Sequence, residues 1–329
     1  MKRALVLSGG GAKGAFQVGA LEYIRENKPT FFDFSIIAGV SVGSLNAVML
    51  AQNKFAELQK LWTEISNGKV YTGTMPQGFF EYLWLVIKIL FGARSILGIG
   101  PLMQQIENDV DLADIKVDYR CGFVSLVTGE YIPCKHTDFG NDNENFRKAI
   151  LASSSMPIIW EPVKDVKVHA EVYQQLVDGG VRNVSPLKDV ILDNPDEIII
   201  INCSTKNLQE DSQAGKNIFR IAERSLVDIS INEIFKGDIE EFVKTNKIVK
   251  QCGEKGVTIF RDNDRREPYK YFNAIIIEPE TDLGNNLDFS QAIIDERRKQ
   301  GWKAAEAAFK KYESTPGPVT ARSYKPVPA

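Results

Sequence analysis

The sequence predicts an α/β protein: a mostly parallel sheet covered by helices on both faces, with a helical C-terminal region. Three observations predict it. Apolar runs of strand length, Arg3–Leu7, Phe34–Ala38 and Glu197–Ile201 (EIIII), are too continuous for a sheet with one wet face and suit strands buried on both sides. Stretches with apolar residues at helical spacing alternate with them, the pattern of strand–helix–strand units. The first two runs break into glycines immediately before a helix, as strand-to-helix turns do.

The elements follow in order. After Arg3–Leu7, the spacing of Ala15, Val18, Leu21 and Tyr23 predicts a helix from Gly14 that stops at Lys28-Pro29. Phe34–Ala38 is the second strand. Leu45, Val48, Met49, Phe55, Leu58, Leu61 and Trp62 predict one or two helices reaching about Ile65. Pro101 opens a short helix to Val110. Arg120–Val127 and Glu130–Cys134 flank Thr128-Gly129 as a hairpin. Phe146–Leu151 is helical, Val166–His169 is a mixed charged stretch, and Glu171–Val177 is a strand running into Asp178-Gly179-Gly180. Glu197–Ile201 and Ala274–Ile277 are strands, separated by a helical stretch over roughly Asn217–Val249. A last helix covers about Ser290–Tyr312.

The chain has 329 residues, 43% hydrophobic and 25% charged, which excludes a wholly disordered protein. One domain is expected over 1–313, with the chemistry-bearing motifs inside 1–205 and a helix-rich remainder over 206–313. The proline-bearing end, 314–329, is too poor in apolar residues to fold and is expected to be a disordered tail. Forty basic and forty-three acidic residues leave a net charge of −3, so no basic field invites nucleic acid. Four cysteines without CxxC spacing suit a reducing, cytoplasmic setting and argue against a metal cluster. The most apolar segment, Phe79–Phe91, has thirteen residues including Glu81 and Lys88, short of the ~20 needed to span a bilayer. It reads as a buried core helix or as a lipid-facing lid.

Two glycine motifs follow strands. Ser8-Gly9-Gly10-Gly11-Ala12-Lys13-Gly14 places unpaired backbone N–H groups at a helix start, where they meet negative charge. The same letters satisfy GxGxxG, so a Rossmann-type dinucleotide site using Gly9–Gly14 is a rival reading; the Walker A pattern fails because Ala15 follows Gly14. Gly39-Val40-Ser41-Val42-Gly43 is GxSxG between a strand and a helix, the form of a nucleophile elbow. Asp178-Gly179-Gly180 supplies a carboxylate at a strand end, the sheet edge at which α/β proteins bind ligands.

A serine nucleophile needs a base. The only histidines, His136 and His169, both precede Asp178 in sequence and sit in polar stretches. Either could serve as the base; the alternative is Asp178 itself, which burial would strengthen as a proton acceptor.

The three motifs in this order resemble the patatin-like phospholipase family: GGGAKGAFQVGAL at Gly9–Leu21, GVSVGSLNA at Gly39–Ala47 and DGGVRNVSP at Asp178–Pro186. The resemblance implies a three-layer patatin-like fold and a Ser–Asp dyad lipid acyl hydrolase without histidine. It assigns Ser41 as nucleophile and Asp178 as base. The N–H groups around Gly10, Gly11 and Ala12 become the oxyanion hole, with Gly9, Lys13, Gly14, Gly39, Gly43, Gly179 and Gly180 completing the motifs. Ser8 stands where family members often carry Asp. No cofactor and no metal are implied. The implied partner is a lipid or ester substrate, met by peripheral contact at a membrane surface, and an acyltransferase using the same acyl-enzyme is the nearest alternative.

Overall fold

A computed structural model describes residues 1–73, 93–205, 210–216, 223–261 and 267–314, and the single positions 81, 88, 208, 220 and 221. The apolar run Phe79–Phe91, apart from Glu81 and Lys88, and the tail beyond Ser314 lie outside the described residues.

Eight strands form one sheet: β1 (Arg3–Leu7), β2 (Ile36–Gly39), β3 (Asp118–Ser125), β4 (Tyr131–Lys135), β5 (Val163–Val168), β6 (Glu171–Asp178), β7 (Glu197–Ile201) and β8 (Asn273–Ile277). Their order is β5-β6-β3-β2-β1-β7-β8, with β4 paired to β3. The pairs among β3, β2, β1, β7 and β8 are parallel; β4, β5 and β6 add antiparallel pairs at one end.

Period-two alternation sends side chains to two cores. Leu5, Leu7, Ile37, Ile199 and Ile201 enter the larger one, shared with α1 (Gly14–Asn27), α2 (Val42–Ala51) and α3 (Phe55–Glu64). The short α4 (Asn67–Val70) and α5 (Gly100–Asp109) rim the same face, to which α6 (Asn143–Ser153) adds Phe146 and Ile150. Ala4, Val6, Ile36, Ala38, Ile198 and Ile200 face the second core. There they meet Leu187, Val190 of α7 (Lys188–Ile191), and Phe235 and Ile239 of α8 (Ser230–Glu254). Helix, sheet and helix make three layers, as expected from strands with no polar face.

The last helix, α9 (Gln291–Ser314), crosses α1 at backbone contact. A β-carbon on Gly301 would sit 1.9 Å from the Phe16 carbonyl, and one on Gly19 would sit 1.9 Å from the Arg298 carbonyl. Only hydrogen fits at either place. Tyr23–Trp302 and Phe31–Phe309 stack edge to face on either side, with ring centroids 5.4 and 5.0 Å apart.

One element departs from the expectation. The charged stretch Val166–His169 belongs to β5 and the turn after it. Its outward positions carry Lys164 and Lys167, and β5 is an edge strand, where charge blocks further pairing. Edge protection thus has the composition of a loop.

Candidate active site

Ser41 stands on the turn from β2 to α2 with φ 57° and ψ −133°, a conformation that side chains other than glycine seldom adopt. The surroundings over-determine it. Its N–H donates to the Ser153 carbonyl at 3.0 Å, and its own carbonyl accepts from Ser44 Oγ at 2.7 Å and Ser154 Oγ at 3.2 Å. The turn is tight enough that a β-carbon on Gly39 would lie 2.1 Å from the Gly43 carbonyl oxygen, and one on Gly43 would lie 2.3 Å from that of Leu7. The glycines of GxSxG are therefore the packing condition for the turn.

Sheet topology brings Asp178 to this serine. Strand β3 pairs in parallel with β2 as far as Arg120↔Ala38, then antiparallel with β6 from Phe123↔Asp178. Since β4 takes the opposite edge over Arg120–Val124, β2 and β6 share one edge and run toward each other along β3. Ser41 leaves the end of one and Asp178 closes the other. Gly179 lets the chain turn against β3, since a β-carbon there would be 2.3 Å from the Gly122 carbonyl oxygen.

Three consecutive serines fasten the meeting. Ser153 accepts the Ser41 amide, Ser154 donates to the Ser41 carbonyl, and the Ser155 carbonyl accepts the Asp178 amide at 2.8 Å. Sequence reasoning misses this triplet because it acts largely through its main chain at the end of α6, and no spacing rule marks it.

Asp178 is 5% exposed, and burial pushes its carboxyl up to about 7. The nearby Ser41 hydroxyl and the Gly180 amide, which donates to Oδ1 at 2.7 Å, oppose that rise without cancelling it. The carboxyl is therefore a stronger proton acceptor than an ordinary aspartate. Neither His136 nor His169 lines the cavity that holds Ser41. His136 Nδ1 accepts from the Tyr119 amide, and His169, mostly exposed, pairs with Asp138 at 3.1 Å.

The glycine loop lies against the serine: a β-carbon on Gly9 would be 3.9 Å from Ser41 Oγ. Gln17, fully buried, holds the Ser8 carbonyl at 2.8 Å, and Ser8 Oγ accepts the Cys203 amide at 2.9 Å, tying the end of β1 to the end of β7. That bond is the work done by serine at position 8. Among the described residues nothing accepts from the N–H groups of Gly10 and Gly11, nor from that of Val42 at the start of α2. Ala12 differs from the expectation: its N–H donates to the Asn286 carbonyl at 2.7 Å, so it has no free amide for an oxyanion. Lys13 forms an ion pair with Asp282 at 3.1 Å, and Gly14 packs under Val42 and Trp62.

For a dinucleotide, a diphosphate would have to approach these glycines. Gly10 faces Cys203, and Gly11, at φ 53°, faces Asn286; a β-carbon would lie 2.6 Å from protein at the first and 2.4 Å at the second. Protein thus packs directly against the α-carbons of both glycines.

The cavity around Ser41 has a volume of about 930 Å³. One wall is apolar, built from Ile96, Met156, Pro157, Ile158, Ile159 and Leu287. Ile158 has φ 72° and is 55% exposed, an arrangement held by the Ile96 and Leu97 amides, which bond the carbonyls of Ile158 and Ile159. Among the described residues no group of three His, Cys, Asp or Glu side chains is arranged to hold a metal ion, and no helix is long and apolar enough to cross a membrane.

Comparison with known proteins adds the following. A family profile described as patatin-like phospholipase matches residues 5–191. Neuropathy target esterase sws of Drosophila persimilis is 26% identical over 186 residues, which cover 55% of this chain and 11% of that protein; the Drosophila pseudoobscura pseudoobscura protein matches to the same extent. The chain thus matches about a tenth of the length of these relatives. Among solved structures, VipD from Legionella pneumophila superposes with a TM-score of 0.45 at 12% identity, covering 94% of this chain and 67% of that one. The type III effector ExoU gives 0.40 at 13% identity, covering 95% and 53%.

Proposed function

The chain belongs to the patatin-like phospholipase family, and on that premise we propose that it is a serine lipid acyl hydrolase working through a Ser41–Asp178 dyad. One observation carries the reading: a strained serine and a buried, basic carboxyl line one cavity, beside three backbone amides that have no acceptor among the described residues.

As Ser41 Oγ bonds to the ester carbonyl carbon, its proton passes to Asp178. The carbonyl π electrons move onto oxygen, which the amides of Gly10, Gly11 and Val42 hold. Preorganised donors of this kind are worth about 3–4 kcal/mol each. Collapse breaks the bond to the leaving alcohol, which takes the proton from Asp178 and departs. Water then attacks the acyl-enzyme, gives a proton to Asp178, and releases the carboxylic acid as that proton returns to Ser41. The apolar wall from Ile96 to Leu287 receives the acyl chain. The protein acts in the cytoplasm, by peripheral contact with a membrane surface.

The test is a fluorophosphonate probe followed by a panel of phospholipids and simple esters. Wild type should label at Ser41 and release fatty acid, Ser41→Ala should do neither, and Asp178→Asn should lose turnover while folding normally. Loss of activity in folded His136→Ala or His169→Ala would overturn the dyad. Unlabelled wild type that hydrolyses no ester would overturn the activity. Adding a lysophospholipid acceptor and analysing products separates hydrolysis from acyl transfer.

A further inference from the structure

A segment far from the glycine loop in sequence grips it. Residues 282–288 lie between β8 and α9, outside the region matched by the family profile. The Asn286 carbonyl takes the Ala12 amide at 2.7 Å, the Asp282 carboxylate takes the Lys13 ammonium at 3.1 Å, and the Asn286 backbone covers Gly11. Asp282, Gly284, Asn285, Asn286, Leu287 and Asp288 all line the cavity that holds Ser41. The Asn286 Oδ1 atom is buried at this wall with no hydrogen-bond partner among the described residues.

Besides Tyr71, whose hydroxyl donates to the Leu287 carbonyl at 3.2 Å, the segment is held by Arg297, in the second turn of α9 and 2% exposed. Its Nε donates to the Leu283 carbonyl at 2.9 Å, Nη1 to that of Asp288 at 3.0 Å and Nη2 to that of Asn285 at 2.8 Å. All three acceptors are main-chain carbonyls. Burying a guanidinium without a bonded carboxylate is costly, and a methionine of similar length would avoid the cost. The planar fork instead spans three carbonyls of one loop at once, a geometry that lysine cannot copy.

We propose that Arg297 is a positioning residue for catalysis. By clamping residues 283–288 it sets the Asn286 carbonyl against Ala12, and so aims the neighbouring Gly10 and Gly11 amides at the oxyanion. Ala12 is then the anchor of the oxyanion loop and the two glycines are its working donors. The inference rests on the acyl-transfer role proposed above for Ser41. A donor displaced by about 1 Å loses most of its effect on the transition state while substrate binding is little changed.

The experiment compares full-length wild type, Arg297→Lys and Asp282→Asn on one ester, with circular dichroism and a thermal melt on each. Wild-type labelling of Ser41 by a fluorophosphonate comes first; if it fails, the acyl-transfer reading falls and this inference with it. With wild type active, folded Arg297→Lys should lose about tenfold or more in kcat with KM within about twofold, and Asp282→Asn should show a smaller loss of the same kind. Folded Arg297→Lys with kcat near wild type, or with only KM raised, would overturn the proposal. Should Arg297→Lys fail to fold, Asp282→Asn decides: a kcat loss at unchanged KM supports the clamp, and unchanged kcat refutes it.

Discussion

Among single residues, Asp178 links stability to the proposed catalysis. Its carboxyl binds a proton more tightly in the folded than in the unfolded chain, so folding stability falls as pH rises from about 4 to about 7. By neutral pH the buried charge costs on the order of a few kcal/mol, since each tenfold gain in proton affinity is worth about 1.4 kcal/mol. Asp178→Asn should therefore raise the melting temperature at pH 7–8, and not at pH 4, while abolishing turnover; a lower melting temperature at pH 8 would contradict this account. On the proposed mechanism the ionised form is the base, so kcat/KM in wild type should fall below pH ~7 and level off above it. Ile158 makes a second case. Ile158→Gly should relieve the strain at φ 72° and leave thermal stability unchanged or better. It should also lower kcat/KM for long-chain esters more than for acetyl esters, as steady-state rates on a chain-length series would show. Ser41, Gly39 and Gly43 are legible in the sequence because a nucleophile elbow constrains its own spelling. Ile158 and Arg297 are not, since nothing local distinguishes a strained wall or a buried clamp from an ordinary apolar run or a solvated helix face.

Among the elements, the two glycines at the α1–α9 crossing set how closely these helices approach. Gly301→Ala should force a backbone shift and cost about 1–3 kcal/mol, read as a lower denaturation midpoint. Because Arg297 lies one turn earlier on α9, the same substitution should reduce kcat at temperatures where the protein stays folded. Most elements are legible from periodicity: β1, β2, β7 and β8 as continuous apolar runs, α1 and α9 as helical repeats. The strand β5 is hidden, because an edge strand protected by Lys164 and Lys167 has the composition of a loop.

For the molecule as a whole, the core of the region matched by the family profile is shared with α9. Phe16, Leu21 and Ile24 belong to the core that Ile294, Ala305 and Phe309 of α9 complete. Deleting residues 291–329 should leave this apolar face in water and give an insoluble or non-cooperatively melting product, and a sharp thermal transition in the truncated chain would refute that. The layers of the fold and the residues of the three motifs can be read from the amino acids alone, because burial periodicity and the sterics of tight turns are written locally. Folding in three dimensions was needed to establish that β2 and β6 meet end to end on one edge of β3, that Ala12 is spent on Asn286, and that an arginine near the C-terminus holds the loop beside the serine. Those depend on strand register and on contacts between distant segments, and no local pattern of residues encodes either.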